Sequence, residues 1–226
     1  WSWRFIMSEF KVNTITNRTG SHGPQVCGIT TFGSSGMQLP SGPTEMRGGS
    51  RGRGLFAGGE SPRLNVIDLI TIATTGNATD FGDLVETATN IGGAGNAIRG
   101  IFFAGETPSL SDTIQYVVMS SQGGSNDFGN LSFARLGHNG AVANSTRAIT
   151  AGGYTDPGYS SAIEFVTIAI NSNSNNFGDL TVPKYAMGSF SSPTRGLFCG
   201  GDPGTSPNTT DDVDFIEIAT LGNAQD

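Results

Sequence analysis

The sequence has little charge, little cysteine and little histidine, and each shortage excludes a class of protein. Charged residues make up 14% of the 226 residues, well below the ~25% of ordinary globular proteins, which disfavours long helices with charged faces. Two cysteines, Cys27 and Cys199, are too few for a disulfide framework, and whether they pair stays open. The two histidines, His22 and His138, lie in no metal-ligand spacing. We therefore predict no metal and no cofactor.

Basic stripes and long apolar runs are also missing. The net charge is −7, and Lys11 and Lys184 are the only lysines, which argues against nucleic acid as a partner because nucleic acid is a polyanion. No apolar run approaches the ~20 residues that a membrane-spanning helix needs, so no membrane insertion is predicted. The first ten residues lack the apolar region and the cleavage site of a signal peptide.

Turn-forming residues are abundant instead. The chain has 34 glycines and 10 prolines, with many Ser, Thr and Asn residues between short β-branched runs. An apolar share of 36%, including 14 Phe, is enough to build a core. Low charge, frequent turns and β-branched runs predict an all-β protein.

Three landmarks recur along the chain at intervals of 46 to 50 residues, which is the strongest signal in the sequence. The first is an arginine that opens a strand ending in small residues, at Arg53, Arg99, Arg147 and Arg195. The second is an acidic or amide residue within a β-branched strand, at Asp68, Gln115, Glu164 and Asp214. The third is Phe-Gly-Asp/Asn-Leu, which begins at Phe81, Phe128 and Phe177.

A multi-stranded repeat of this length has the size of a propeller blade. The double glycine that closes the second strand, and the aromatic residue near the fourth, resemble the kelch repeat over about residues 32–226. The chain departs from that pattern in having Phe where Trp is usual, and Phe103-Ala104-Gly105 in the second copy. The resemblance implies a kelch-like β-propeller.

The spacing predicts four blades, closed by a strand from the N-terminal part of the chain. A Phe-Gly landmark at Phe32-Gly33 precedes the first arginine, whereas none follows the last. We therefore expect residues 32–39 to complete the last blade, which removes two unpaired sheet edges. A truncated larger ring or an oligomeric ring is the alternative. The predicted ranges are an N-terminal arm at 1–25 and a propeller at 26–226, with blades at about 45–85, 91–131, 138–180 and 185–226.

The repeated arginines and acidic residues have two interpretations. They could form a ring of ligand contacts, or a repeated cross-strand ion pair or hydrogen bond with Gln115 as a neutral substitute. We favour the structural role, because residues present in every repeat usually serve the repeat. The turns at 75–80 and 122–127 are rich in oxygen ligands and could hold calcium, but Asn and Asp also form turns unaided, which is the interpretation we favour.

The loops that vary between repeats supply the candidate site. In an antiparallel blade the loops between strands 2 and 3 and between strands 4 and 1 emerge on the same face. This brings together Tyr154, Asp156, Tyr159, Lys184 and Tyr185. Exposed aromatic rings beside hydrogen-bonding groups suit a sugar ring, although the tyrosines could equally cap the blades. No catalytic residues are predicted, since no Gly-x-Ser-x-Gly motif occurs and loop carboxylates alone do not define a glycosidase pair.

A second resemblance concerns the amino-acid sequences of the N-terminal segment and of the repeats. Residues 12–20 and 23–32 resemble N-terminal segments of structural proteins of tailed bacteriophages, notably marine and cyanobacterial ones, and residues 53–59 and 72–84 are similar to repeats of their kelch-like virion proteins. The resemblance implies a virion structural or tail-fibre protein, located in the phage particle or otherwise extracellular.

The expected function is therefore a non-enzymatic module that binds a host-surface glycan or protein. Other virion subunits are further expected partners, and the N-terminal arm could join copies of the chain into a homo-oligomer. The alternatives are a purely structural decoration or assembly protein of the virion and, less favoured, a carbohydrate-active enzyme.

Overall fold

The computed structural model describes residues 30–31, 37–38, 52–60, 62–136, 140–205 and 209–226. The chain divides into two compact units, Trp1–Gly42 and Pro43–Asp226. In the first unit, β1 (Thr30–Thr31) pairs antiparallel with β2 (Met37–Gln38). Every regular element among the described residues is a β-strand, so the all-β prediction is confirmed. The part of the chain that the structure describes contains no helix able to cross a membrane.

The described residues of the second unit form four antiparallel sheets of three or four strands, one for each sequence repeat, whose strands follow one another in chain order, and one two-stranded hairpin. Sheet I comprises β3 (Arg53–Ala57), β4 (Val66–Thr71) and β5 (Thr79–Asp83). Sheet II comprises β6 (Gly92–Gly95), β7 (Arg99–Glu106), β8 (Leu110–Val118) and β9 (Asn126–Arg135). Sheet III comprises β10 (Gly140–Ala143), β11 (Arg147–Ala151), β14 (Ala162–Thr167) and β15 (Asn175–Asp179), and a loop hairpin of β12 (Tyr154–Thr155) and β13 (Gly158–Tyr159) precedes β14. Sheet IV comprises β16 (Gly188–Ser191), β17 (Arg195–Cys199) and β18 (Val213–Glu217).

The four sheets fall within the predicted repeat ranges, with one difference. Strand β9 runs on to Arg135, beyond the predicted end at residue 131, because β8 is also longer than its counterparts. Gln225 pairs with Phe215 at the position where the fourth strands of the other sheets begin. The arm at 1–25, most of the closing strand at 32–39, and Cys27 lie outside the described residues, so those expectations stay predictions.

Each sheet has two faces, because side chains alternate along a strand. We call the face that carries the repeated arginine and the residue two positions later the trailing face. The opposite face, which carries the residue three positions after the arginine, is the leading face. In sheet II the trailing face carries Ile101 and packs towards sheet III, whereas the leading face carries Phe102 and packs towards sheet I. The trailing face of each sheet thus meets the leading face of the next.

Three apolar cores fill the junctions between consecutive sheets. Between sheets I and II, Ile67 and Phe81 pack against Phe102 and Met119. Between sheets II and III, Ile101, Phe103 and Phe128 pack against Val166 and Ile168, and between sheets III and IV, Ile149 and Phe177 pack against Phe198 and Ile218. The third strands of sheets II and III, which have a neighbour on each side, therefore supply apolar side chains to two cores each.

The repeated Phe-Gly landmark is explained by a close approach of backbones at these junctions. Gly178 has φ +156°, and a Cβ atom there would lie 2.2 Å from the carbonyl oxygen of Gly222, in the turn of the next sheet. The Gly222 amide donates to the Phe177 carbonyl at 2.9 Å. Gly82 and Gly129 meet the following turns in the same way. Only glycine combines this backbone conformation with so close a contact.

Three of the four repeated arginines bind the next sheet, and not the acidic residues with which we expected them to pair. Arg99 Nη1 donates to the Ile168 carbonyl at 2.9 Å and Arg147 Nη1 to the Ile218 carbonyl at 2.8 Å, and Arg53 reaches the Met119 carbonyl in the same way. The expected cross-strand pairs do not form, because the arginines lie on the trailing face and the acidic set lies on the leading face.

Candidate functional site

The candidate site begins with the short hairpin between the second and third strands of sheet III. Tyr154 lies opposite Tyr159, and Thr155 lies opposite Gly158, across a turn that contains the cis Asp156–Pro157 peptide bond. The Thr155 hydroxyl donates to the Gly158 carbonyl at 3.1 Å, which stabilises the turn. The Tyr154 carbonyl accepts the Leu136 amide at 2.7 Å and so holds the hairpin to the end of sheet II.

Tyr185 reaches the hairpin from the segment that follows the last strand of sheet III. Its amide donates to the Asp202 carbonyl at 3.1 Å, and the Asp202 amide donates back at 2.8 Å. The loop that follows strand 4 of one sheet thus bonds to the loop that follows strand 2 of the next. These are the two loops that antiparallel topology places on the same face.

The three tyrosine rings form one contiguous cluster. The ring centroids of Tyr154 and Tyr159 lie 5.7 Å apart with the planes at 71°, an edge-to-face contact. The centroids of Tyr159 and Tyr185 lie 5.1 Å apart with the planes at 28°, a stacked contact. Gly204 lies against the Tyr159 ring so closely that a Cβ atom there would be 2.0 Å from a ring carbon. Tyr159 therefore sits at the centre of the cluster, between the loops of sheets III and IV.

The surroundings of Tyr159 disfavour ionisation of its hydroxyl. Burial raises the pKa of Tyr159 above its ordinary value, and the negative charge of Asp202 and the neighbouring hydroxyls of Tyr185 and Tyr154 raise it further. At neutral pH the phenol is protonated, as an unshifted tyrosine also is, and can serve as a hydrogen-bond donor and as an acceptor.

A cavity of about 520 Å³ opens beside the cluster. Its lining residues are Leu110, Phe133, Ala134, Thr155, Asp156, Tyr159 and Ser160. Apolar side chains from the extended strands of sheet II form one side, and hydroxyl and carboxylate groups of the hairpin form the other. A wall of this kind can pack an apolar ring face while it hydrogen-bonds the ring's polar edge.

Lys184 does not belong to this surface, contrary to the prediction from its neighbours in the sequence. Its side chain is fully buried, and Nζ lies 2.9 Å from Oδ2 of Asp214, which is also fully buried. The pair lies at the junction of sheets III and IV. A buried charge needs a partner of opposite sign, and Lys184 has this partner in Asp214. Its side chain is therefore not available to contact a ligand at the surface.

The same position carries a buried cation one repeat earlier. Arg135 is buried against Glu164, with Nη2 2.5 Å from Oε2, and Nη1 donates to the Gly152 carbonyl at 3.0 Å. Burial lowers the pKa of Arg135 to about 10 although Glu164 opposes the shift, so the side chain stays charged at neutral pH. In the first repeat the equivalent residue is Ala88, and the residue of the next sheet at the position of Glu164 is the neutral Gln115; both are buried.

We did not predict from the sequence the buried position that Ala88, Arg135 and Lys184 share, or the residues of sheet II that line the cavity. A sequence signal for the shared position existed, since these three residues are each the seventh residue after the phenylalanine of a Phe-Gly landmark. No comparable signal marked Leu110 and Phe133, which line the cavity because β8 and β9 are longer than the equivalent strands. Asp156 and the three tyrosines do lie together, as the loop argument expected, and their role in binding stays a prediction.

The described residues give no indication of a metal centre. Within them, no three His, Cys, Asp or Glu side chains come close enough together to hold a metal ion. The turn at 122–127 instead docks on sheet I, with the Gly123 amide donating to the Phe81 carbonyl at 2.8 Å.

Comparisons with known proteins give a likeness of fold. No family model matches the chain, and no curated protein matches it. Among solved structures, the chain is similar to YjhT, with a TM-score of 0.57 and 14% sequence identity. The match covers 72% of this chain and 51% of YjhT, so it spans about half the length of that protein. At this level of identity the likeness is one of fold alone.

Proposed function

We propose that the four sheets are the blades of a kelch-like β-propeller. Two features of the second unit support this assignment: the sheets follow one another in chain order, and each packs its trailing face on the leading face of the next. The repeat length and the double glycines are those that the kelch resemblance requires. For the closure of the ring, the exposed outer faces of sheets I and IV favour the alternative of an oligomeric ring over closure of four blades within one chain through residues 32–39.

We further propose that the chain is a non-enzymatic module that binds a glycan at the tyrosine cluster. The observation that carries the proposal is the contiguous cluster of Tyr154, Tyr159 and Tyr185 beside a cavity of about 520 Å³ with a mixed polar and apolar lining. Sugar rings present apolar C–H faces and hydroxyl edges. Tyrosines supply both an apolar plane and a hydroxyl, and Asp156 adds an exposed acceptor at the cavity wall.

The setting we propose is the particle of a tailed bacteriophage, where the module would recognise a glycan or protein of the host surface. This part rests on the resemblance of residues 12–32 and of the repeats to virion structural proteins. A structural decoration or assembly role is the second candidate. The specific observation in its favour is the set of large apolar residues exposed on the leading face of sheet I and the trailing face of sheet IV.

The test is binding of the purified full chain to an array of bacterial surface glycans, with tyrosine variants beside the unchanged protein. Tyr154→Ala and Tyr159→Ala should each weaken binding by about tenfold or more, the scale of a central contact residue. Tyr116→Phe is the matched control, because Tyr116 packs beneath Arg99 in the sheet II core, away from the cluster. Circular dichroism would verify that all variants fold.

The possible results of this experiment distinguish glycan binding, structural decoration and enzymatic activity. Saturable binding that both cluster variants weaken and Tyr116→Phe spares supports the glycan site. Binding that the cluster variants leave unchanged refutes that site. Absence of binding across the whole array favours the decoration role. Mass-spectrometric detection of shortened glycans after incubation would instead refute the non-enzymatic assignment.

A further inference from the structure

The three junctions between consecutive sheets share one construction. On the trailing face, the repeated arginine donates from Nη1 to a main-chain carbonyl of the next sheet, in each of the three sheets that have a following sheet. On the leading face, the residue that follows the third strand is buried and carries that carbonyl, as at Met119, Ile168 and Ile218. The junctions differ in sequence but not in the placement of these groups.

The leading face of sheet I presents half of such a junction to solvent. Phe56 is 60% exposed, whereas its equivalent in sheet II, Phe102, is 7% exposed. Ile72 is 64% exposed, although its three equivalents are buried. No arginine reaches the Ile72 carbonyl among the described residues.

The trailing face of sheet IV presents the other half. Phe190 is 60% exposed, whereas the equivalent residue of sheet III, Val142, is buried against sheet IV. Val213 is exposed, although Ile163 at the same position is buried. Arg195 has no carbonyl of a following sheet to bind within the described residues, and its side chain, 57% exposed, bonds Glu217 of its own sheet through Nε.

We propose that these two faces are the halves of one interface, and that the occupant of each is a second copy of this chain. Sheet I of one copy would bring Phe56, Ile72 and the Ile72 carbonyl against the trailing face of sheet IV of the next copy. Arg195 would then make the contact that Arg53, Arg99 and Arg147 make within the chain. The interface is heterologous, since two different surfaces meet, and it can link copies head to tail. It does not depend on the proposed glycan binding.

The test is sedimentation velocity of the full chain over a range of micromolar concentrations. The unchanged protein should sediment with a mass that rises with concentration to at least two copies. Phe56→Asp and Phe190→Asp should each weaken self-association by more than about tenfold, because each places a charge in an apolar contact. Ile72→Asp should do the same, and Ile170→Asp is its matched control, since Ile170 is also 64% exposed but lies in a turn of sheet III.

A mixture of variants gives the sharper readout. Phe56→Asp keeps an intact trailing face and Phe190→Asp keeps an intact leading face, so neither should self-associate but the two together should form a complex that stops at two chains. A monomer at every concentration for the unchanged protein would overturn the proposal, whether the faces are covered by closure within one chain or by residues 1–42. Equal weakening by Ile170→Asp, or failure of the two variants to associate, would overturn it as well.

Discussion

Two substitutions convert the buried pair Arg135–Glu164 into the uncharged residues that occupy the equivalent positions one junction earlier, Ala88 and Gln115. Glu164 accepts the Ser132 amide and the Ser174 hydroxyl at Oε1, and Oε2 faces Arg135. Gln115 accepts the Val85 amide and the Ser125 hydroxyl at its own Oε1. The double change Arg135→Ala with Glu164→Gln therefore converts the second junction into the arrangement of the first. Its two hydrogen bonds to the side-chain oxygen should survive.

The expected free energies follow from burial. Glu164→Gln alone leaves the buried Arg135 cation without a countercharge, and Arg135→Ala alone leaves the buried carboxylate without one, so each should lower the free energy of unfolding by about 3–5 kcal/mol. The double variant has no buried charge, and its main loss is the volume of the arginine side chain, which should cost about 2–4 kcal/mol. We therefore expect a coupling energy of at least about 2 kcal/mol, with the double variant more stable than the sum of the single changes implies.

Equilibrium urea unfolding at pH 7, followed by circular dichroism, gives the free energy of unfolding of the unchanged protein, the two single variants and the double variant, which together form a double-mutant cycle. The pair Arg63–Glu106 gives the matched control cycle, because its side chains are 36% and 28% exposed and a solvated pair should couple by less than about 1 kcal/mol. Additivity of the Arg135 and Glu164 changes within about 0.5 kcal/mol would refute the reasoning. A double variant less stable than both single variants would refute it too.

Two further predictions concern a glycine contact and a titrating phenol. Gly178→Ala should lower the free energy of unfolding by about 2 kcal/mol more than Gly222→Ala. Both residues have almost the same φ, but only a Cβ atom at position 178 would clash with backbone. Equal losses of stability in urea unfolding would contradict the close approach of Gly178 to the next sheet as the reason for glycine there. Ultraviolet titration should show Tyr159 ionising above 10.0, with Asp202→Asn lowering its pKa only part of the way because burial is the larger cause; a return to the ordinary value would contradict that order. Because the folded-state pKa is the higher one, the stability that Tyr159 contributes is complete below pH 10 and is lost as the pH rises through its raised pKa.

The strands and their repetition could be predicted from the sequence because they depend on local patterns. Alternation of apolar residues and the spacing of Gly and Asn turns act within a few residues of each other, and the four sheets follow them. The meeting of Tyr154, Tyr159 and Tyr185 could also be predicted, since the order of loops in an antiparallel meander decides which of them share a face.

The partners of the repeated polar residues could not be predicted in the same way. Whether Arg53 and Asp68 share a face depends on the register between strands, and the loops that set this register differ in length from repeat to repeat. Lys184 precedes Tyr185 and so seemed to share its surface, but consecutive residues of an extended segment point in opposite directions. One of them enters the junction while the other joins the cluster. The exposed ends of the array depend on which sheets have neighbours, which local patterns do not encode.

The buried junction pairs also make the repeats non-interchangeable, although their strands look alike. Arg135 pairs with Glu164 and Lys184 pairs with Asp214, whereas the equivalent residues of the first junction are the uncharged Ala88 and Gln115. If sheet I docked on sheet III during folding, Ala88 would meet Glu164 and strand a carboxylate without a cation. Repeat chains are prone to such misassembly between similar units, and an unpaired charge in the interior would penalise by several kilocalories per mole any order that places Ala88 or Gln115 against a charged residue of the other junctions. The buried residues thus distinguish the first junction from the two charged ones while the chain assembles.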